Sequence, residues 1–254
     1  MKLFYRTLGE GKPLFILHGL FGSSDNWMTL GRQFAEKYKV ILVDMRNHGQ
    51  SPQSEIWNYE SMADDIFKLA ENAGYSKIKL IGHSMGGKVG MTMADKYPTL
   101  LEKLVVADIA PRHYPIRHRQ IIDGLLSINL HSISSRRDAD VQLSKYVSEP
   151  AIRMFLLKNL DNNSASGFSW KLNLEVINNH LENVGEATTP KNKIDVPTLF
   201  IRGINSDYVT DDDIMEIRKY YSKSKVESIG NAGHWLHAEQ PAAFINTALH
   251  FLEA

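Results

Sequence analysis

Short runs of apolar residues punctuate the first half of the chain, at 14–17, 40–43, 78–81 and 104–107. Each is strand-length, and two longer stretches with helix-compatible spacing, 27–38 and 59–73, lie between them. Nearly all-apolar strands alternating with helices predict a parallel sheet covered on both faces. A later run at 198–201 follows Pro197, and 226–229 is a last strand candidate. The closing helix is expected over 242–252.

Between these parts the pattern changes. From 112 to 193 the spacing is helical, at 117–128, 139–147, 151–160 and 174–181, with no convincing central strand. Asn162, Asn163, Ser164 and Gly167 mark a loop. The organisation expected is an α/β core at 1–111, a helical cap at 112–193 and the rest of the core at 194–254. Such a cap closes over the sheet's carboxyl edge, where open α/β sheets bind ligands.

Composition adds limits. A chain of 254 residues with 43% hydrophobic content can bury a large core. Lys+Arg and Asp+Glu are both 29, so nothing points to a nucleic-acid or membrane surface. There is no cysteine, which excludes disulfides, a thiol nucleophile and thiolate metal sites. The first residues lack the apolar stretch of a signal peptide, and no apolar run is long enough for a membrane span. A cytoplasmic location is expected.

The chemistry starts at Gly82-His83-Ser84-Met85-Gly86. Residues 77–81 lead in with strand character, and Val89, Met91, Met93 and Ala94 follow in a stretch expected to end near Tyr97-Pro98. Strand, sharp turn and helix is the setting in which G-x-S-x-G exposes a nucleophilic serine. The glycines fit because side chains two positions from the apex come too close to their neighbours. The helix N-terminus favours negative charge, making the Met85 N–H one expected oxyanion donor. A phosphate-binding loop is disfavoured, because the spacing G-x-x-x-x-G-K-[ST] is absent.

A serine hydroxyl needs a base, and the base needs an orienting acid. His234, in the Gly-containing loop after the last strand candidate, is the expected base, with His237 its near rival. Two acids compete. Asp207 follows the 198–201 strand, where this architecture commonly places its acid, but stands one place late; Ser206 holds the usual position. Asp108 ends the strand after the nucleophile helix and is favoured, because that strand end faces the same side as Ser84. The second oxyanion donor is expected from His18-Gly19-Leu20-Phe21-Gly22, at Leu20 with Phe21 close behind.

Other groups carry weaker readings. The loop from Asp44 to Ser51 reads as a polar buttress. Arg112, His113, Arg117, His118 and Arg119 form a basic cluster, read as a solvated helix face in preference to a clamp for phosphates or carboxylates. Phe21, Trp170 and Trp235 are candidates for an acyl pocket.

Together, the His18-Gly19 loop, the Asp44/Arg46/Gly49/Ser51 loop, the Ser84 turn and Gly233-His234 resemble the α/β-hydrolase superfamily over nearly the whole chain. The chain more closely resembles the small YbfF-type bacterial acyl esterases and their eukaryotic relatives, through residues 18–23, 44–51, 82–88, 108–111 and 233–239. Gly203-Ile204-Asn205-Ser206-Asp207-Tyr208-Val209 also resembles a segment of that group whose fifth position need not be acidic, which disfavours Asp207. The resemblance implies hydrolysis of short- to medium-chain carboxylic esters, including acyl-CoA thioesters, with no metal and no cofactor. The partner is a small-molecule ester or thioester, with no nucleic acid. Two other readings stay open: a lyase or C–C hydrolase on the same scaffold, and a small-molecule receptor. A dehalogenase is disfavoured, since that chemistry wants an aspartate where Ser84 stands.

Overall fold

The computed structural model describes residues 1–163 and 167–254. The chain opens with β1 (Tyr5–Leu8) and β2 (Pro13–Leu17), a 3-10 turn at Ser24–Trp27 and α1 (Met28–Phe34). Next come β3 (Lys39–Val43), α2 (Tyr59–Asn72), β4 (Ile78–His83), α3 (Met85–Lys96) and β5 (Leu101–Ala107). An inserted segment follows: α4 (Arg119–Ser127), α5 (Arg136–Leu143), α6 (Pro150–Leu157), β6 (Leu160–Asn163), β7 (Gly167–Trp170), α7 (Leu174–Asn179) and α8 (Leu181–Gly185). The chain then returns to the sheet with β8 (Thr198–Gly203), α9 (Asp211–Tyr220) and β9 (Ser224–Ile229), and closes with α10 (Leu236–Glu239) and α11 (Pro241–Glu253).

The main sheet has seven strands in the order β1-β3-β2-β4-β5-β8-β9. Every neighbouring pair is parallel except β1 with β3. Alternating residues of each strand feed two cores. Leu14 and Ile16 face α1 and α11 with Phe34 and Phe244, while Phe15 and Leu17 face α2 and α3 with Ile66 and Val89. Burial on both faces explains the apolar runs. Lys79, the polar residue within the 78–81 run, is buried too, and its ammonium donates to the Leu252 carbonyl at 2.5 Å.

The expected strands and helices of the core appear with ends moved by a few residues. The helix expected over 27–38 is shorter: a 3-10 turn takes Trp27, and the helix stops at Phe34, where the N–H groups of Glu36 and Lys37 close turns onto the Gln33 and Phe34 carbonyls. Among the elements that were not legible are β1 and α9. Strand β1 is an antiparallel edge whose positions are half-buried or exposed, so no apolar run marks it. Helix α9 is mostly polar, started by a reciprocal cap between Thr210 and Asp213. In the inserted segment the expected loop is a hairpin. Asn162 and Asn163 end β6, and Gly167 starts β7 at φ +79°; Ser164 lies outside the described residues. The hairpin forms its own two-stranded sheet and adds nothing to the main one. Among the described residues, no helix is long and apolar enough to cross a membrane.

Candidate active site

Parallel register brings two loops side by side. His83 on β4 pairs with Ala107 on β5, so Ser84 and Asp108 each stand one residue past the carboxyl end of adjacent strands. Both adopt φ +51°, a left-handed conformation that costs a non-glycine residue energy and collects at functional sites. The turn at Ser84 is crowded. A Cβ on Gly82 would meet the Gly86 carbonyl oxygen at 2.2 Å, and one on Gly86 would meet that of Leu17 at 2.5 Å. Only glycine fits at either position.

His234 arrives from the loop after β9 and touches both neighbours. The Ser84 hydroxyl donates to His234 Nε2 at 3.1 Å, and His234 Nδ1–H donates to Asp108 Oδ2 at 2.8 Å. A carboxylate accepts only, so this pairing selects the imidazole tautomer with its proton on Nδ1. Asp108 is fully buried, yet it also accepts from the Gly203 N–H at 3.0 Å and from the Ser206 hydroxyl. Those donors satisfy a charge that burial alone would penalise. Ser206, at the usual acid position, thus supports the Asp108 carboxylate from the loop after β8. Asp207 points away. Its carboxylate is 70% exposed and binds Arg117 Nη1 through both oxygens at 2.7 Å.

Buried His18, His48, His83 and His237 frame this site as neutral rings. His83 Nε2–H donates to the His234 carbonyl at 2.8 Å, holding the loop that carries the imidazole. His18 donates from Nδ1 to Gly19 O and accepts the Met45 N–H on Nε2. His48 donates to Arg46 O at 2.9 Å and accepts the Phe21 N–H at 3.3 Å. Burial pushes His48 down to about 3, with His18 adding to the shift. His237 is stacked on Trp27 at 4.4 Å, and burial pushes it to about 3 as well.

Because His48 takes the Phe21 N–H, the choice between Leu20 and Phe21 narrows to Leu20. Among the described residues the N–H groups of Leu20 and Met85 have no hydrogen-bond partner. Gly19 makes room between them: a Cβ there would lie 2.8 Å from His83 Nδ1 and 3.3 Å from Ser84 Cβ.

The Asp44 loop is scaffolding. Asp44 accepts the Ser24 and Gln50 N–H groups, and Arg46 binds Asp65 at 2.7 Å and the Ile56 and Ser61 carbonyls. The basic cluster is not the helix face expected, because Arg112, His113 and Arg117 precede α4. Arg112 pairs with Asp213 at 2.7 Å, and Arg119 donates to Asn178. Phe21 and Trp235 line a cavity of about 540 Å³ over Ser84; Trp170 does not. Trp170 ends β7 opposite Leu160 and packs half-buried on the core, because the hairpin turns it there.

Sequence reasoning missed two positions. Tyr208 stacks on His234 at 3.7 Å and 17°. His118, just ahead of α4, lines the cavity and is pushed to about 4, first by burial and then by His234. The segment from Gly203 to Val209 carried the signal for Tyr208. His118 was legible only as one member of a basic cluster.

A family model described as alpha/beta hydrolase fold matches residues 12–241. An sn-1-specific diacylglycerol lipase ABHD11 of Danio rerio is 38% identical over 253 residues, covering 96% of this chain and 80% of that protein. Esterase YbfF of Escherichia coli (strain K12) is 34% identical over 245 residues, covering 96% and 94%. The solved structure of a marine microorganism esterase superposes with a TM-score of 0.96 at 40% identity, covering 98% of this chain and 99% of that one.

Proposed function

The chain belongs to the α/β-hydrolase family and is YbfF-like, and from that premise we propose that it hydrolyses carboxylic esters through an acyl-enzyme on Ser84. Relatives named esterase and lipase support the ester-hydrolase class. The observation that carries the serine mechanism is the unbroken chain from Ser84 Oγ through His234 to Asp108, at 3.1 and 2.8 Å.

Ser84 Oγ attacks the acyl carbon as its proton passes to His234 Nε2. The carbonyl π electrons move to oxygen, and the oxyanion accepts the N–H groups of Leu20 and Met85. Asp108 holds the ring and stabilises the imidazolium without taking its proton. The tetrahedral adduct collapses, the bond to the alcohol breaks, and His234 returns its proton to the leaving oxygen. Water then attacks the acyl-enzyme with His234 as base, releasing the acid and restoring the Ser84 hydroxyl. A thioester runs through the same steps, with a thiol leaving. Residues 112–193 act as a cap over the site, and Phe21 and Trp235 contact the substrate.

Pre-steady-state kinetics with p-nitrophenyl esters, wild type beside Ser84→Ala, test the reading. The expected result is a stoichiometric acyl burst that Ser84→Ala abolishes, with kcat down on the order of 10⁴–10⁶-fold. Turnover retained in Ser84→Ala overturns it.

A further inference from the structure

Ser84 is shared by two cavities. The first, of about 540 Å³, includes His234, Trp235, Phe155 and Ile152 in its lining. The second lies across Ser84 against Tyr59, Ile109, Tyr114, Leu181 and Val184. Ser84 and His118 are the residues that line both, so His118 stands as the partition.

The chemistry gives the two sides different tasks. An ester bound over Ser84 has two arms, the acyl chain and the alcohol. The alcohol oxygen must receive its proton from His234 Nε2, so that arm leaves on the side His234 faces. His234 lines the first cavity and not the second, from which the stacked ring of Tyr208 covers it. The acyl arm then lies across Ser84, on the Met85 side.

The linings match that division. In the second cavity the Tyr59 hydroxyl donates to the Val184 carbonyl at 2.7 Å, and the Tyr114 hydroxyl donates to that of Tyr208 while accepting the Ala110 N–H at 2.8 Å. Both polar tips are used on backbone, so the rings beside Ile109, Leu181 and Val184 form an apolar wall on that side, while Arg117, held by Asp207, and His118 complete the lining. The first cavity continues past Ile152 and Phe155 into a groove of about 970 Å³ rimmed by Asn26, Lys158 and Glu239.

We infer that the two cavities sort the substrate: the Val184 side takes a short apolar acyl chain, and the Ile152 side takes a larger alcohol or thiol with a polar end. The inference rests on the acyl-enzyme reading above. It moves Phe21 and Trp235 from the acyl arm, where their aromatic character alone suggested them, to the leaving-group arm. Val184 and Ile152 are both half-buried residues of the inserted segment, open to substitution without entering the sheet core.

The test crosses two ester series, one varying the acyl chain on p-nitrophenol and one varying the alcohol on acetate. Val184→Phe is expected to lower the hexanoyl-to-acetyl ratio of kcat/KM at least about tenfold, the scale of one or two misfitted methylenes. Val184→Ala is expected to raise that ratio, which separates pocket size from misfolding. The same chain-length dependence is expected in the deacylation rate, measured after the alcohol has departed. Ile152→Trp is expected to lower the benzyl-to-ethyl acetate ratio by a similar factor. Val184 variants that shift the alcohol ratio instead, or Ile152→Trp shifting the acyl ratio, overturn the assignment while the burst survives. Absence of any Ser84-dependent burst overturns the serine reading itself.

Discussion

At the scale of single residues, two aspartates competed for one role and their surroundings separate them. Asp108 is fully buried and accepts three donors, one of them His234. Asp207 is an exposed partner of Arg117, whose hydrogen bonds hold its carboxyl below the usual range. Asp108→Asn is expected to cost about 10⁴-fold in kcat, because an amide no longer holds the productive tautomer. Asp207→Asn is expected to stay within a few-fold. Steady-state kinetics of the two variants side by side check the assignment; a large loss in Asp207→Asn reverses it. The proposed catalytic serine and histidine were legible because motif and chain order point to them. The acid was legible only through the position of a strand end, since its sequence neighbours say nothing about His234.

At the scale of elements, the nucleophile helix also anchors the inserted segment. Lys88 of α3 is fully buried and has no carboxylate in salt-bridge contact among the described residues; its ammonium donates to the carbonyls of Arg112 at 2.6 Å, Glu186 at 2.7 Å and Pro111 at 3.4 Å. Those carbonyls belong to the two ends of the segment, where it leaves β5 and returns towards β8. Burial, with the charge of Arg112, pushes Lys88 down to about 7. Lys88→Met keeps the volume but strips three acceptors of their donor. The expected cost is about 1–3 kcal/mol in stability, with faster proteolysis inside 112–193. Urea midpoints and limited proteolysis check both, and an unchanged cleavage rate removes the anchoring role. Nothing in Lys88 as a letter announced this; a lysine four residues after a serine reads as surface until the chain folds over it.

At the scale of the whole molecule, buried neutral histidines make the fold sensitive to acid. His48 and His237 have folded-state values near 3, while an unfolded histidine titrates near 6.5. Below 6.5 the unfolded chain binds these protons and the folded chain does not. Stability is therefore lost as pH falls from 6.5 towards 3, by about 1.4 kcal/mol per pH unit for each ring. Chemical denaturation at pH 7 and pH 5 is expected to show a loss of about 2–4 kcal/mol, in a window where carboxylates do not yet titrate. His237→Leu is expected to flatten that slope; an unchanged slope shows that its ring does not contribute.

Read alone, the sequence determined the sheet, because strands buried on both faces must be apolar throughout, and it determined the serine turn, because only glycine tolerates carbonyls at 2.2 and 2.5 Å. It also carried the chain order of serine, acid and histidine. The tertiary structure alone decided the rest. Edge strand β1 and polar helix α9 gain their form from what they pack against, and period gives no sign of them. Asp108, the proposed acid, is set beside Ser84 by parallel register, across 24 residues of chain. The two cavities depend on where Ile121, Ile152, Val184 and their neighbours in the inserted segment are placed. That placement is a matter of long-range contact, and local pattern does not encode it.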